Sequence, residues 1–235
     1  AAAPIGPGVT VVPNGVLVDA FEADAGAAAW MRARWGVAGD APVVGMVGRL
    51  RPWKGQEHFI RAMRLVADRH PRARFVLVGG TVFEGDGPYL PRLQALTASL
   101  GLKERLVFTG HEEEDLPAAY AAMDVVVHCS VEPEPFGRVI IEAMAAGRPV
   151  VAYEWAGPGE IVLADETGLL VPPRDYVALA AATSELLGDA ERRRAMGIAG
   201  RARVLAQYDA RSVARRIEET LLAVAAGGAP HPPGV

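Results

Sequence analysis

The chain is expected to fold as an α/β protein, an open parallel sheet with helices on both faces. Two observations point there. Short apolar runs, such as Pro42–Gly48, Arg74–Gly79 and Val125–His128, carry no polar alternation, as strands covered on both sides do. Between them lie longer segments with apolar residues at helical spacing, and that alternation builds a parallel sheet. With 51% hydrophobic content over 235 residues, the chain can bury one core, or one core with a modest appendage.

Val9–Pro13 reads as a first strand and Asn14-Gly15 as the turn after it. A helix is expected over Ala23–Trp35, closed by Gly36, and then the buried strand Pro42–Gly48. The loop Arg49–Lys54 leads into a helix from about Gly55 to Arg69, with Phe59, Ile60, Met63 and Val66 on one side; Pro71 ends it. Arg74–Gly79 is the next strand, and the glycine-rich Gly79–Pro88 leads to a helix over Tyr89–Leu100. Leu106–Thr109, a helix over Asp115–Met123 and the strand Val125–His128 follow. Past the central helix come a helical turn near Glu160–Val162, a strand Gly168–Val171, and helices over Asp175–Leu187, Ala190–Gln207 and Ala210–Ala226. The glycine and proline tail reads as disordered, and no internal repeat is evident. Domain boundaries are drawn at 1–208 for the main unit, 209–227 for a last helix and 228–235 for the tail. The architecture is Rossmann-like, and its ligands bind beyond the carboxyl ends of the strands. The loops after Gly48, Gly79, Thr109, Ser130 and Val151 are therefore where function is sought.

One stretch organises the rest: Glu134-Pro-Phe-Gly-Arg-Val-Ile-Ile-Glu142, continuing to Ala152. Phe136 and Gly137 stand where a helix opens, Gly147 stops it, and Pro149–Ala152 is a buried strand. Free N–H groups and the macrodipole make that helix start a place for an anion. Glu142 lies six residues past Phe136, roughly 9 Å along the axis, about the reach from a diphosphate to the ribose behind it.

Composition excludes several classes. A net charge of -4 argues against general nucleic-acid binding. The single cysteine, Cys129, excludes a disulfide framework and reads as packing in a reducing compartment. No apolar run approaches the eighteen or so residues that span a membrane, and Ala1–Pro4 lacks the basic region of a signal peptide. A cytoplasmic location is expected. The chain opens without methionine and passes almost at once into Val9–Pro13, as a chain cut at an internal boundary would.

Arg49 and Lys54 leave the same strand end, with Gly48 removing a side chain at the closest approach. A guanidinium grips a phosphate with two hydrogen bonds and an ammonium adds a mobile charge, so the pair could neutralise most of a diphosphate without a metal. A solvated basic loop, with Arg51 in it, is the rival reading. Glu142 could accept two ribose hydroxyls, or simply pair with Arg138 at i and i+4. Glu134 could be no more than a favourable charge near a helix start, with Glu132 a decoy. His111 follows Thr109-Gly110 at a strand end, where it could stack on a base or offer it backbone groups. His128 reads as a satisfied core histidine, and His58 and His70 as helix surface. No zinc-type spacing exists, so no metal is assigned. Gly157–Glu160 is a tight loop that lines a sugar pocket or merely connects. Neither G-x-x-x-x-G-K-[ST] nor G-x-G-x-x-G occurs, which gives a P-loop or dinucleotide fold no support; G-x-S-x-G is missing too.

Gly48-Arg-Leu-Arg-Pro-Trp-Lys-Gly55, Phe108-Thr-Gly-His111 and the stretch from Glu134 to Val151 come in this order. Together they resemble the donor-binding half of the family-four retaining glycosyltransferases of GT-B fold, and the likeness covers nearly the whole chain. The resemblance implies that Arg49 and Lys54 hold the diphosphate of a UDP- or GDP-sugar and that Glu142 holds the ribose. It assigns the amides near Phe136, Gly137 and Arg138 to the distal phosphate and sugar, Glu134 to sugar hydroxyls, and the loop at His111 to the base. Gly48 allows the close approach. No cofactor or metal is implied; the nucleotide diphosphate sugar is the donor substrate. Members carry an amino-terminal acceptor domain, which the 235 residues are expected not to include. Their last helix crosses to it, and Val213, Ile217, Leu221 and Val224 form a stripe that must fold back or stay exposed.

The expected function is thus a donor-binding domain that binds nucleotide sugar without transferring it alone. Its expected partner is an acceptor domain on the same or another chain, through which peripheral contact with the cytoplasmic membrane face could occur. Two alternatives stand beside it: a stand-alone module or half-enzyme, and a nucleotide-sugar 2-epimerase, which would want further acid and base groups.

Overall fold

The computed structural model describes residues 9–80, 88–112 and 115–226. Six strands form one sheet: β1 (Val43–Val47), β2 (Arg74–Val78), β3 (Leu106–Gly110), β4 (Val125–His128), β5 (Val150–Tyr153) and β6 (Gly168–Val171). Every pairing is parallel, in the order β3-β2-β1-β4-β5-β6. This is the order of doubly wound dinucleotide-binding sheets. The missing G-x-G-x-x-G therefore speaks about the ligand and not about the sheet, and the exclusion drawn from it was too broad.

Helices link the strands: α1 (Ala25–Arg34), α2 (Gln56–Arg69), α3 (Tyr89–Ser99), α4 (Leu116–Ala122), α5 (Arg138–Ala145) and α6 (Gly157–Ile161). Then come α7 (Tyr176–Gly188), α8 (Ala190–Gln207) and α9 (Ala210–Ala225). Side chains alternate along each strand, so every strand feeds two cores. Val44, Met46, Phe75, Leu77, Val125 and Val127 meet α2, α3 and α7 through Phe59, Ile60, Met63, Leu93 and Leu179. Val43, Val76, Val126 and Val150 meet α1, α4 and α5 through Met31, Tyr120, Ile140 and Met144. This two-sided burial is why the strands read as unbroken apolar runs.

Most elements fall where the pattern places them, and two do not; two side chains also differ from expectation. Val9–Pro13 is no strand: Val9 and Val11 are exposed, Pro13 lacks a donor, and the first pairing is a lone bridge from Val16 to Asp209. A 3-10 turn over Val18–Phe21 follows it. The turn expected near Glu160 starts earlier, at Gly157, so Gly157–Glu160 is the helix α6 and not a loop. His58 and His70 are not idle surface, since His58 Nδ1 lies 2.9 Å from the Tyr153 hydroxyl and His70 Nε2 lies 3.1 Å from the Ser184 carbonyl. Most of the glycine-rich stretch after Gly79, and the tail, lie outside the described residues.

α9 is started by Asp209, whose carboxylate accepts from the amides of Arg211 and Ser212. Val213 is buried, while Ile217, Leu221 and Val224 stay exposed. Among the described residues, no helix is long and apolar enough to cross a membrane.

Phe59 is fully buried between α2 and the sheet. Phe59→Ala should cost about 3–5 kcal/mol, read as a lowered denaturation midpoint with an unchanged slope.

Candidate functional site

The strand order reverses between β1 and β4, and the loops leaving their carboxyl ends diverge around a crevice. Those loops carry Arg49–Lys54 and Ser130–Gly137. They are joined closely: the Val131 amide donates to the Trp53 carbonyl at 2.7 Å. At Gly55, which takes φ +84, an added Cβ would lie 1.9 Å from the Cys129 carbonyl oxygen, so only glycine fits there. Gln56, buried at the start of α2, donates from Nε2 to the Arg49 carbonyl at 2.9 Å and fixes the loop backbone.

This junction brings Lys54 against Glu134 in a direct ion pair, with both side chains mostly buried. The Lys54 ammonium also lies 4.2 Å from the centre of the Trp53 ring, a cation–π contact. Glu134 meets Ser130 Oγ at 3.3 Å and His128 Nε2 at 3.7 Å. His128 is thus not a satisfied core residue, because its Nε2 faces the carboxylate and its buried Nδ1 has no partner among the described residues. Burial pushes the Glu134 carboxyl up, but His128 and then Lys54 outweigh it and bring the carboxyl down to about 2.

Beyond Glu134 the chain turns at Gly137, φ +92, into α5, and this glycine N-cap offers no side chain to cap the helix. Its first amides are left for a ligand or water. The turn is held from outside: Gly157 donates its amide to the Glu134 carbonyl at 3.0 Å, next to Ala156, which takes the unfavourable φ +54. The Phe136 ring packs on Tyr208 at 6.0 Å, where α8 ends.

Glu142 is buried one turn inside α5, with both oxygens engaged. Oε2 accepts from the Tyr120 hydroxyl at 2.9 Å and Oε1 accepts from Arg138 Nε at 2.9 Å, so the i, i+4 pairing weighed from sequence does form. Burial and the Glu142 charge hold the Tyr120 phenol in its neutral, donating form. Arg49 is exposed on the same loop as Lys54, and among the described residues no hydrogen bond joins its guanidinium to residues 134–137. Gly48 lies at the end of β1 and donates to the Val78 carbonyl at 2.9 Å. His111 is exposed just past β3. Cys129 is buried, with its thiol donating to the Gly55 carbonyl at 3.3 Å, a packing role as expected.

The structure therefore gathers Lys54, Glu134, Phe136, Gly137, Arg138 and Glu142 around one helix start. Sequence reasoning missed Tyr120, Ser130, His128 and Gln56. An H-x-S-x-x-x-E spacing could have flagged two of them, whereas Tyr120 and Gln56 gave no signal of their own.

The Glu134 carboxyl should titrate near pH 2, well below the ordinary 4.5. Because the folded value is the lower one, its stabilising contribution is complete above 4.5 and is lost as pH falls through 2. Carboxyl carbon chemical shifts followed against pH check this, and Lys54→Met should move the midpoint upward.

Known proteins resemble this chain in sequence and fold. The family described as glycosyl transferases group 1 matches residues 30–203. The chain is 41% identical over 217 residues to a GDP-mannose-dependent alpha-(1-6)-phosphatidylinositol monomannoside mannosyltransferase of Mycolicibacterium smegmatis, covering 89% of this chain and 55% of that protein. The crystal structure of Anabaena Alr3699/HepE in complex with UDP and glucose is similar at TM-score 0.85 and 34% identity, over 91% of this chain and 56% of that one. The C-terminal domain of a group 1 glycosyl transferase protein, LpcC of Francisella tularensis, matches at TM-score 0.74 and 27% identity, over 83% of this chain and 99% of that one. The chain thus spans about half the length of the curated relatives it matches. It is a Rossmann-like domain of the GT-B type, and it belongs to the glycosyl transferases group 1 family.

Proposed function

We propose that this domain binds the donor, a UDP- or GDP-sugar, for a retaining glycosyltransferase, and that by itself it binds donor without transferring sugar. The observation that carries this reading is the Lys54–Glu134 pair set against the uncapped start of α5. Among the relatives, HepE was crystallised with UDP and the mannosyltransferase is GDP-mannose-dependent, so both bases are candidates.

The reading assigns roles as follows. The diphosphate lies at the crevice, met by Lys54, by Arg49 swinging in from solvent, and by the amides of Gly137 and Arg138. As the bond to the sugar breaks, the leaving diphosphate gains negative charge, and these preorganised groups favour that change without a metal ion. Lys54 does not arrive alone. Glu134 holds it in place and keeps a carboxylate beside it for sugar hydroxyls, with Ser130 and His128 fixing that carboxylate from behind.

Glu142 takes the ribose, but its Oε1 must first exchange Arg138 for a hydroxyl. Arg138 is exposed while Glu142 is buried, so the exchange is inexpensive only because the incoming hydroxyl replaces the hydrogen bond that Oε1 gives up. The Tyr120 hydroxyl keeps Oε2 fixed throughout. The loop at His111 then faces the base. Transfer itself requires an acceptor domain, on the same chain or another.

Calorimetric titration with UDP and with GDP, in the presence of a chelator, tests the proposal. One of the two should bind, and Arg49→Ala and Lys54→Ala should each weaken it by roughly tenfold to a hundredfold, the loss of one or two charge-assisted hydrogen bonds. Neither nucleotide binding at millimolar concentration would overturn the reading. Glu142→Gln should weaken the nucleotide but leave inorganic diphosphate binding unchanged, which separates ribose from phosphate recognition.

A further inference from the structure

At the opposite pole of the sheet, where β4 and β5 begin, lies a cavity of about 320 Å³ between the α5–β5 turn and the first half of α8. Four arginines line it, Arg148, Arg193, Arg194 and Arg201, against a single acid, Asp124. That acid is already committed: its Oδ2 accepts from Arg32 Nη2 at 2.8 Å and from the Val43 amide at 2.8 Å.

Two of the four cations are engaged. Arg193 donates to the carbonyls of Leu186 and Leu187 at the end of α7, at 2.6 and 2.7 Å, and Arg201 donates to Ala145 and Glu22. Among the described residues, Arg193 therefore meets only carbonyl oxygens. Arg194 is exposed at the rim and makes no ion pair among the described residues. The decisive group is Arg148. Its Nε is buried and has no hydrogen-bond partner among the described residues, an arrangement proteins rarely leave standing. Burial disfavours its charge, Asp124 offsets part of that, and the neighbouring Arg32 adds to it. A bound anion beside the Arg148 guanidinium would offset that cost.

We propose that this cavity is a second anion site, taking a small ligand through a phosphate or diphosphate group. Guanidinium groups suit that chemistry because they offer paired donors to phosphate oxygens. A cavity of about 320 Å³ has room for a phosphorylated small molecule as well as for an inorganic ion. A nucleic-acid strand would need an extended basic stripe on a chain that instead carries a net charge of -4. The site shares no residue with the crevice at Lys54, and the inference does not rest on the donor reading.

Titration of the 235-residue chain with inorganic diphosphate at low salt, free of divalent metal, tests it. The Lys54→Ala variant weakens the cation-lined crevice, and Arg194→Glu, which shares no residue with that crevice, reports on this cavity alone. In that background diphosphate should still bind at one equivalent, and Arg194→Glu should weaken it at least about tenfold, the loss of one charge-assisted contact. Arg148→Met should do the same, and if that variant fails to fold, Arg194→Glu, which alters only the exposed rim, decides alone. Absence of binding in the Lys54→Ala background, or binding there that is indifferent to Arg194→Glu, would overturn the proposal.

Discussion

The site depends on how closely two loops approach at the reversal of strand order. The Trp53 carbonyl accepts from Val131, and Gly55 sits under the Cys129 carbonyl with no room for a Cβ. Sheet order alone would place the ends of β1 and β4 side by side, because the strands pair directly. The contact between their loops does more: it sets a lysine from one strand end against a carboxylate from the other. The helix start beside them has a glycine at its N-cap and so no capping side chain of its own.

Two carboxylates then differ through their surroundings. Glu134 is paired with Lys54 in the crevice, and its low pKa keeps it charged at any physiological pH. Glu142 lies deeper and shares one oxygen with a buried phenol, so its orientation is set from the core by Tyr120. The first is placed to respond to a ligand, the second to hold its position while one exposed partner changes. Buried polar groups of this kind are strong only when every member is satisfied. The open Nδ1 of His128 is the weak point of the set behind Glu134.

Much of this was legible in the residues. The unbroken apolar runs foretold strands covered on both faces, and the helix stop at Gly147 and start at Gly137 were both readable from glycine chemistry. Partners far apart in sequence were not. Tyr120 and Glu142 are twenty-two positions apart and meet only because α4 and α5 pack on the same face of the sheet. His128 looked like core because it ends a buried strand, yet a strand's carboxyl end is where the crevice begins. Val9–Pro13 has the composition of a strand but pairs with none of the six strands, and β propensity without a partner makes only an extended segment. Ala156 gave no sign of its strained backbone, since strain is imposed by the surroundings and not by the residue.

The central claim is that the uncapped start of α5 receives a diphosphate. Backbone amide chemical shifts, followed by nuclear magnetic resonance as UDP or GDP is added, address it most directly. The account predicts that the largest movements fall on Gly137, Arg138 and Val139, with the Lys54–Gly55 segment moving alongside. Large shifts confined to other parts of the chain, with those amides unmoved at saturation, would contradict it.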